Sequence, residues 1–218
     1  MDINVGQLFI SLLVLVFSLT VHESAHAWAA DRLGDSTARL QGRISLNPVV
    51  HVDPIGTLLF PILGMVTGAP LFGWAKPVPV NIGRFAKPRR DYLMVAAAGP
   101  LSNLALAVAA ALALQLALRL ALGLGDGTAS GGPNVIAPLT SLAYATLQVN
   151  VLLAIFNMLP IPPLDGGTVL AGVLPERFAA GLDRIRPYGF LLLYALLFSG
   201  GFGVIVGTPY RYIMSWLL

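Results

Sequence analysis

The chain has 218 residues, of which 56% are hydrophobic and only 11% are charged, with a formal net charge of +3. Soluble domains carry about 25% charged residues, so this composition excludes an ordinary soluble protein and indicates one that crosses a membrane several times. The positive charge does not indicate nucleic-acid binding, because the basic residues lie in short loops beside apolar segments, as cytoplasmic loops of membrane proteins do. The absence of cysteine excludes disulfides and thiolate metal ligands.

Residues 5 to about 30 form an apolar run long enough to span a bilayer, since about 20 residues suffice. The run has no basic start and no small-residue cleavage site, so we expect a retained helix and not a signal peptide. Near its end stands His22-Glu23-Ser24-Ala25-His26. Residues i and i+4 share one helix face, so the two imidazoles could bind one metal ion with Glu23 beside them. Ionisable groups inside a spanning helix cost about 2.5–3.5 kcal/mol each, which favours a functional site over a chance match.

The next part of the chain is predicted to stay on one side of the membrane. Residues 31–53 are polar, and Pro48 and Pro54 favour extended geometry in the residues before them, which predicts an ordered loop or short strands. Residues 57–72 are apolar but are interrupted by two prolines and two glycines. Because basic residues flank this segment on both sides, we expect it to be re-entrant, and a true crossing is the alternative. Residues 74–81 alternate apolar residues with prolines, a pattern typical of an edge strand.

The remaining segments predict further spanning helices. Residues 91–122 form a long apolar helix, in which Gly99 allows close helix packing and Asn103 is interpreted as a packing contact in preference to a catalytic group. The glycine-rich loop 123–134 contains no lysine or arginine and is expected outside the cell. We expect residues 137–159 to cross back and residues 188–206 to form another helix. The final stretch, 210–218, is too short to span alone.

A third metal ligand is needed, because catalytic zinc is usually bound by three protein side chains and a water. The chain has three histidines in all, so the site is expected to include a carboxylate. Asp165 stands out because it follows a proline-rich helix break and has apolar neighbours. The alternative is that Asp165 caps the N-terminus of a helix.

Two motifs together resemble those of the site-2 protease family of intramembrane metalloproteases. They are the HExxH sequence beginning at His22 and residues 157–167, Asn-Met-Leu-Pro-Ile-Pro-Pro-Leu-Asp-Gly-Gly. Residues 42–48, 51–56 and 73–77 are also similar to the compact prokaryotic branch, and no PDZ-like or CBS domain is evident. The resemblance implies one zinc ion bound by His22, His26 and Asp165. It also implies that Asn157 lies in the active site as an oxyanion partner.

The residues and the resemblance together predict an all-α polytopic membrane protein. We expect a bundle of about 4–6 transmembrane or re-entrant helices with a small membrane-associated β-sheet or hairpin, forming one domain over residues 1–218. The expected activity is hydrolysis of peptide bonds in or near transmembrane segments of substrate proteins, as in regulated intramembrane proteolysis, with Glu23 as the general base. The expected location is the cell membrane, with the site towards the cytoplasm. No regulatory membrane protein is identified by the sequence.

Two other functions use the same histidines. One is a metal transporter or a non-catalytic metal-binding membrane protein, and the other is a soluble-type zinc protease that acts outside the membrane. Glu23 discriminates against the first, because a transport site has no need of an unligated carboxylate beside the first histidine. The uninterrupted apolar run argues against the second. Asn47 and His51 are predicted either to line the site or to order their loop, and Asn150 to bond a backbone group.

Overall fold

The computed structural model describes residues 5–67, 73–123 and 136–218, and every regular element among them is helical. Short 3-10 turns lie at Pro48–Val50, Ile82–Arg84 and Arg186–Tyr188, and a π-helical turn lies at Pro54–Leu59. The α-helices are α1 (Val5–Arg32), α2 (Thr37–Leu40), α3 (Phe60–Thr67), α4 (Pro88–Gly123), α5 (Ile136–Asn157), α6 (Asp165–Val173), α7 (Glu176–Ile185), α8 (Gly189–Phe198), α9 (Gly201–Ile205) and α10 (Gly207–Leu217).

Three of these helices, α1, α4 and α5, are long and apolar enough to cross a membrane. They confirm the predicted all-α membrane protein and the spans expected near residues 5–30, 91–122 and 137–159. The segments on either side of Gly200 are bent by 88° and could together make a fourth span. The single helix predicted over residues 188–206 is therefore wrong. Gly200 has a φ of 77°, a left-handed conformation that glycine adopts readily and that ends a right-handed helix.

The spanning helices pack through small side chains. A buried cluster joins α4, α5 and α10 and consists of Ala107, Ala110, Ala111, Leu114, Leu147, Val151 and Met214. The alanines of α4 let the backbones approach closely, which is how helices associate in a lipid environment, where there is no water to drive apolar side chains together. α4 also packs against α1 and α6, so it lies next to both elements that carry the predicted metal ligands.

The π-helical turn and α3 follow the loop after α1, and Trp74 lies back beside the start of that turn. The π-helical turn has 6 residues and α3 has 8, which together span roughly 21 Å at 1.5 Å per residue and fall short of a bilayer core of about 30 Å. The Trp74 N–H donates to the Gly56 carbonyl at 3.1 Å, and the Thr57 hydroxyl donates to the Trp74 carbonyl at 2.8 Å. These contacts fit the expected re-entrant segment and not the alternative crossing.

Residues 73–81, called here the 73–81 segment, are extended but do not form the predicted strand. Trp74 is hydrogen-bonded to Gly56, and the Lys76 N–H donates to the His51 carbonyl at 2.8 Å. Gly56 lies in the π-helical turn and His51 in the loop before it, so no second strand runs alongside in the described residues, and the prolines of the segment have no N–H to donate. The small membrane-associated β-sheet is therefore not supported in the described part of the chain. The predicted outside loop 123–134 lies beyond the described residues, apart from the last residue of α4.

Asp35 attaches the end of the 73–81 segment to the loop after α1. This carboxylate is fully buried and accepts hydrogen bonds from the Thr37 hydroxyl at 2.5 Å and from the Asn81 N–H at 2.6 Å. Burial alone would raise the pKa of Asp35, but these hydrogen bonds and the nearby Arg84 guanidinium leave that pKa below its ordinary value. The buried guanidinium of Arg43 donates to a second point of the segment, the backbone carbonyl of residue 76.

Candidate metal centre

Helix α1 presents both histidines of the HExxH sequence on its inner face. His22 and His26 are one turn apart and only 4% and 8% exposed. Their Nε2 atoms lie 3.0 Å from each other, and the two rings are arranged edge to face. The i, i+4 spacing therefore brings the two nitrogens to one point, as the sequence predicts.

Asp165 reaches that same point from α6. Its Oδ2 lies 3.2 Å from Nε2 of His22 and 3.3 Å from Nε2 of His26. Asp165 is the first residue of α6, whereas the N-cap position belongs to Leu164. The capping alternative is therefore wrong, and the carboxylate faces the two imidazoles. The glycine that follows, Gly166, lies so close to the Met158 backbone that an added Cβ would meet its carbonyl at 2.3 Å.

The three donor atoms fit a zinc ion. Nitrogen and oxygen ligands bind tetrahedral zinc at about 2.0–2.1 Å, which places neighbouring ligand atoms about 3.3 Å apart. The observed separations of 3.0, 3.2 and 3.3 Å match this spacing. His22, His26 and Asp165 are also the group of His, Asp and Glu side chains that converges closely enough for a metal within the described ranges.

Both histidines are held through their other ring nitrogen. The Nδ1–H of His26 donates to the backbone carbonyl of Val95 at 2.7 Å. A carbonyl only accepts, so this contact leaves Nε2 of His26 with a free lone pair. Nδ1 of His22 lies 2.6 Å from Oδ1 of Asn103. Asn103, interpreted from the sequence as a packing residue, thus contacts a predicted ligand directly. The feature of the sequence that could have indicated this contact is an amide side chain in an otherwise apolar helix.

Gly99 allows the α4 backbone to lie against both rings. An added Cβ there would sit 2.4 Å from Nε2 of His26 and 2.6 Å from Nε2 of His22. Contacts of this length do not occur between real atoms, so no larger residue fits without moving the histidines. The predicted role of Gly99 in close packing is explained by these rings.

The three donor atoms open onto a cavity of about 400 Å³. Glu23 lines it, half-buried, and makes no hydrogen bond or salt bridge within the described residues. Asn157, the last residue of α5, also lines it and donates one amide N–H to the Leu153 carbonyl at 3.0 Å. Trp74 and other residues of the 73–81 segment form part of its wall. All five residues predicted for the site therefore border one cavity.

Two residues left open by the sequence, His51 and Asn47, do not line this cavity. His51 is buried, and its Nε2 lies 2.8 Å from the Ser45 carbonyl and 3.3 Å from the Ser24 hydroxyl of α1. The side chain of Asn47 accepts from the Val49 N–H at 3.1 Å and caps a 3-10 turn. Their observed contacts order the loop after α1. Asn150 bonds the Thr146 carbonyl at 2.9 Å, which is the predicted backbone contact.

The helices and the converging side chains define a class: membrane proteins with a His, His, Asp centre suited to zinc and a glutamate beside it. Comparison with known proteins agrees, because the model of Peptidase family M50 matches residues 10–199. The chain belongs to this family, the site-2 protease family, and is a zinc metallopeptidase.

Three relatives are similar over most of this chain, and each is named "putative zinc metalloprotease" with its own designation. YwhC of Bacillus subtilis is 37% identical over 185 residues, which are 85% of this chain and 78% of YwhC. Rip2 of Mycolicibacterium smegmatis is 31% identical over 89% of this chain and 69% of its own length. Rip3 of Mycobacterium tuberculosis is 32% identical over 79% of this chain, which is 32% of Rip3. No solved structure matches the chain significantly.

Proposed function

We propose that this zinc metallopeptidase cleaves peptide bonds within or next to transmembrane segments of other membrane proteins, in regulated intramembrane proteolysis. The observation that supports this most strongly is the position of the histidines on α1, an apolar helix of 28 residues. His22 lies ten residues before the end of α1, about 15 Å along the helix axis. The proposed catalytic cavity therefore opens at the depth of the bilayer and not in a soluble domain.

The proposed metal ligands are His22, His26 and Asp165. Bound zinc lowers the pKa of water to about 7 and polarises the carbonyl of the peptide bond. The Asn103 side chain and the Val95 carbonyl, both on α4, hold the two imidazoles in fixed orientations, so no reorganisation is needed at the moment of reaction.

Glu23 is the proposed general base. Its carboxylate borders the cavity and makes no internal hydrogen bond, so it is available to accept a proton from the attacking water as the new C–O bond forms. It then transfers that proton to the amine nitrogen as the C–N bond breaks. Asn157 has a second amide N–H besides the one bonded to Leu153, and we assign this N–H to the developing oxyanion.

A second cavity supports a membrane-embedded substrate. It has a volume of about 470 Å³ and is lined mainly by apolar residues of α1, α5, α9 and α10. It shares four lining residues with the catalytic cavity, namely Leu19, Gly73, Leu153 and Phe156. An apolar segment in this second cavity would lie next to the metal centre. A substrate helix must unwind there, because helical hydrogen bonds hide its peptide groups.

The proposed orientation places the site in the cytoplasmic half of the cell membrane. The end of α1 carries Arg32, the segment after it carries Arg39 and Arg43, and the start of α4 carries Arg89 and Arg90. Both basic regions lie at the end of the bundle nearest the HExxH sequence. Cytoplasmic loops are enriched in arginine and lysine, so this end is assigned to the cytoplasm. We treat residues 1–218 as one protease domain.

The proposed function is tested by the nearly isosteric change Glu23→Gln. We expect zinc content per chain to stay at the wild-type level, while cleavage of a co-expressed membrane protein falls by about 10²–10⁴-fold, the usual contribution of a general acid and base. Asp165→Ala serves as the control and should lose both zinc and cleavage. Retained cleavage by the Glu23→Gln variant would exclude the mechanism. Zinc uptake by vesicles without any cleavage by the wild type would favour the transporter.

A further inference from the structure

A continuous chain of side-chain hydrogen bonds runs from α5 through α4 to His22. Oδ1 of Asn103 lies 2.6 Å from Nδ1 of His22, and Nδ2 of Asn103 lies 2.8 Å from Oδ1 of Asn150. Nδ2 of Asn150 contacts the Ser18 hydroxyl at 2.8 Å and the Thr146 carbonyl at 2.9 Å. Asn103 and Asn150 are both 0% exposed. This asparagine chain connects the three spanning helices next to the metal centre.

The far end of the asparagine chain sets the direction of every bond in it. The Thr146 carbonyl can only accept, so Asn150 must turn its NH₂ group towards it and its oxygen towards Asn103. Asn103 must then present its NH₂ group to Asn150. A second acceptor-only group, the Ser18 carbonyl, lies 3.5 Å from the same Asn103 nitrogen. Turning either amide over would bring two oxygens together at about 2.8–2.9 Å.

The end of the asparagine chain that contacts His22 then determines the tautomer of His22. With its NH₂ group committed, Asn103 offers only an oxygen to His22, and Nδ1 of His22 must carry a proton to donate. Nε2 of the neutral ring is left with its lone pair, pointing at Nε2 of His26 and at Asp165. His26 reaches the same state through the Val95 backbone, which no side-chain substitution removes.

We propose that Asn103 and Asn150 are positioning residues of the metal centre, which hold His22 in the one tautomer and orientation that binds zinc. The inference rests on the proposed assignment of His22 as a ligand and extends it to two residues that touch neither metal nor substrate. Groups that orient metal-bound histidines commonly control metal affinity by 10–100-fold. In an apolar helix bundle no bulk water replaces the lost partner, so the effect on His22 is not compensated by solvent.

The first experiment compares two substitutions of Asn103 in the full-length protein in detergent, with the zinc dissociation constant measured by competition with a chelator. Asn103→Asp keeps an acceptor for His22 but loses the NH₂ group donated to Asn150, so it is expected to be less stable and yet to bind zinc more tightly than the leucine variant. Asn103→Leu removes the acceptor and is expected to weaken zinc binding by about 10–100-fold. Thr20→Val is the control, because Thr20 is a buried polar residue of α1 whose hydroxyl, within the described residues, bonds only the Val16 carbonyl at 2.7 Å.

The second experiment separates positioning from packing at Asn150. Asn150→Asp keeps the oxygen that orients the Asn103 amide but loses the NH₂ group donated to Ser18 and Thr146. Asn150→Leu removes both groups but suits an apolar interior. The proposal predicts tighter zinc binding by the aspartate variant than by the leucine variant. A packing role predicts the reverse order, with the leucine variant at wild-type affinity. Thermal unfolding of the metal-free variants identifies any that fail to fold.

The possible outcomes are distinct. Wild-type zinc affinity in folded Asn103→Leu and Asn150→Leu variants would overturn the positioning role. Wild-type zinc affinity in a His22→Ala variant would instead overturn the ligand assignment, and with it the proposed function. A loss in His22→Ala without a loss in Asn103→Leu leaves the proposed function standing and removes only the further inference.

Discussion

Gly99 shows how closely single residues determine the metal centre. The α4 backbone passes against the rings of His22 and His26 at this position, and a hydrogen atom is all that fits between them. The position of the α4 backbone at Gly99 therefore determines where the two imidazole rings of α1 can lie. Zinc binding therefore depends on a residue that has no side chain.

The Gly99→Ala substitution is expected to reduce zinc binding strongly. Its Cβ would need the space now occupied by both Nε2 atoms, so either the rings or α4 must shift. Zinc content of the purified variant, measured by atomic absorption, checks this. Gly181→Ala is the matched control, since an added Cβ at Gly181 meets nothing within 4 Å. Full zinc occupancy in Gly99→Ala would contradict the described geometry.

For single residues, the sequence predicts the metal ligands better than it predicts the side chains that contact those ligands. The i, i+4 spacing of His22 and His26 is a local property of one helix, so it is visible in the sequence. Asp165 could be proposed because its motif is distinctive. The contact of Asn103 with His22 joins residues 81 positions apart. No local pattern specifies which polar group of another helix will face a given histidine.

Among the structural elements, the 73–81 segment departs furthest from its sequence prediction. Alternating apolar residues favour a strand, but a strand needs a neighbour, and the pattern contains no information about one. In the structure its partners are single groups that belong to no strand, including the Asp35 carboxylate, the Gly56 carbonyl of the π-helical turn and the His51 carbonyl. These contacts hold the segment beside the catalytic cavity without a sheet.

Asp35 is expected to make the stability of this arrangement dependent on pH. Its pKa is below the ordinary value in the folded protein, so its stabilising contribution is present above the unfolded pKa of about 3.9 and is lost as pH falls through the folded pKa. Thermal unfolding of the detergent-solubilised protein should therefore show a midpoint that falls as the pH drops below about 4. The Asp35→Asn variant should be less stable at neutral pH by about 1–3 kcal/mol and less sensitive to acid.

The control for Asp35 is Asp31→Asn. Asp31 pairs with the exposed Arg39 at 3.2 Å, and such surface pairs contribute about 0–1 kcal/mol. Equal effects of the two substitutions would show that Asp35 has no special part in holding the segment.

Helices α9 and α10 form one side of the apolar cavity proposed for the substrate, and Gly203 provides a way to fill it. Gly203 lines that cavity, and an added Cβ there meets nothing within 4 Å. Gly203→Leu should leave zinc content unchanged and reduce cleavage of a membrane-protein substrate severalfold or more, because its side chain occupies the cavity. Gly181→Leu adds the same side chain on α7, away from the cavity, and should cleave normally. Equal cleavage by both variants would place the substrate elsewhere.

At the scale of the whole molecule, hydropathy and charge predict most of the architecture. Length and apolar composition determine the spans α1, α4 and α5, because a bilayer sets a minimum length for a crossing helix. The break at Gly200 was missed, since a glycine within an apolar run is compatible with a helix until its φ is known. The approach of α1 to α6, which brings the ligands together, depends on packing across the full chain and had to be inferred from paired motifs.

The proposed function requires that the centre formed by His22, His26 and Asp165 cut peptide bonds at membrane depth. The most direct measurement is mass spectrometry of the fragments released when the purified protein is reconstituted in liposomes with a single-span membrane protein. We predict that the wild type cuts within or at the edge of the substrate's transmembrane segment and that the zinc-loaded Glu23→Gln variant produces none of these fragments. Cuts confined to the soluble parts of the substrate, or the same fragments from the Glu23→Gln variant, would contradict it.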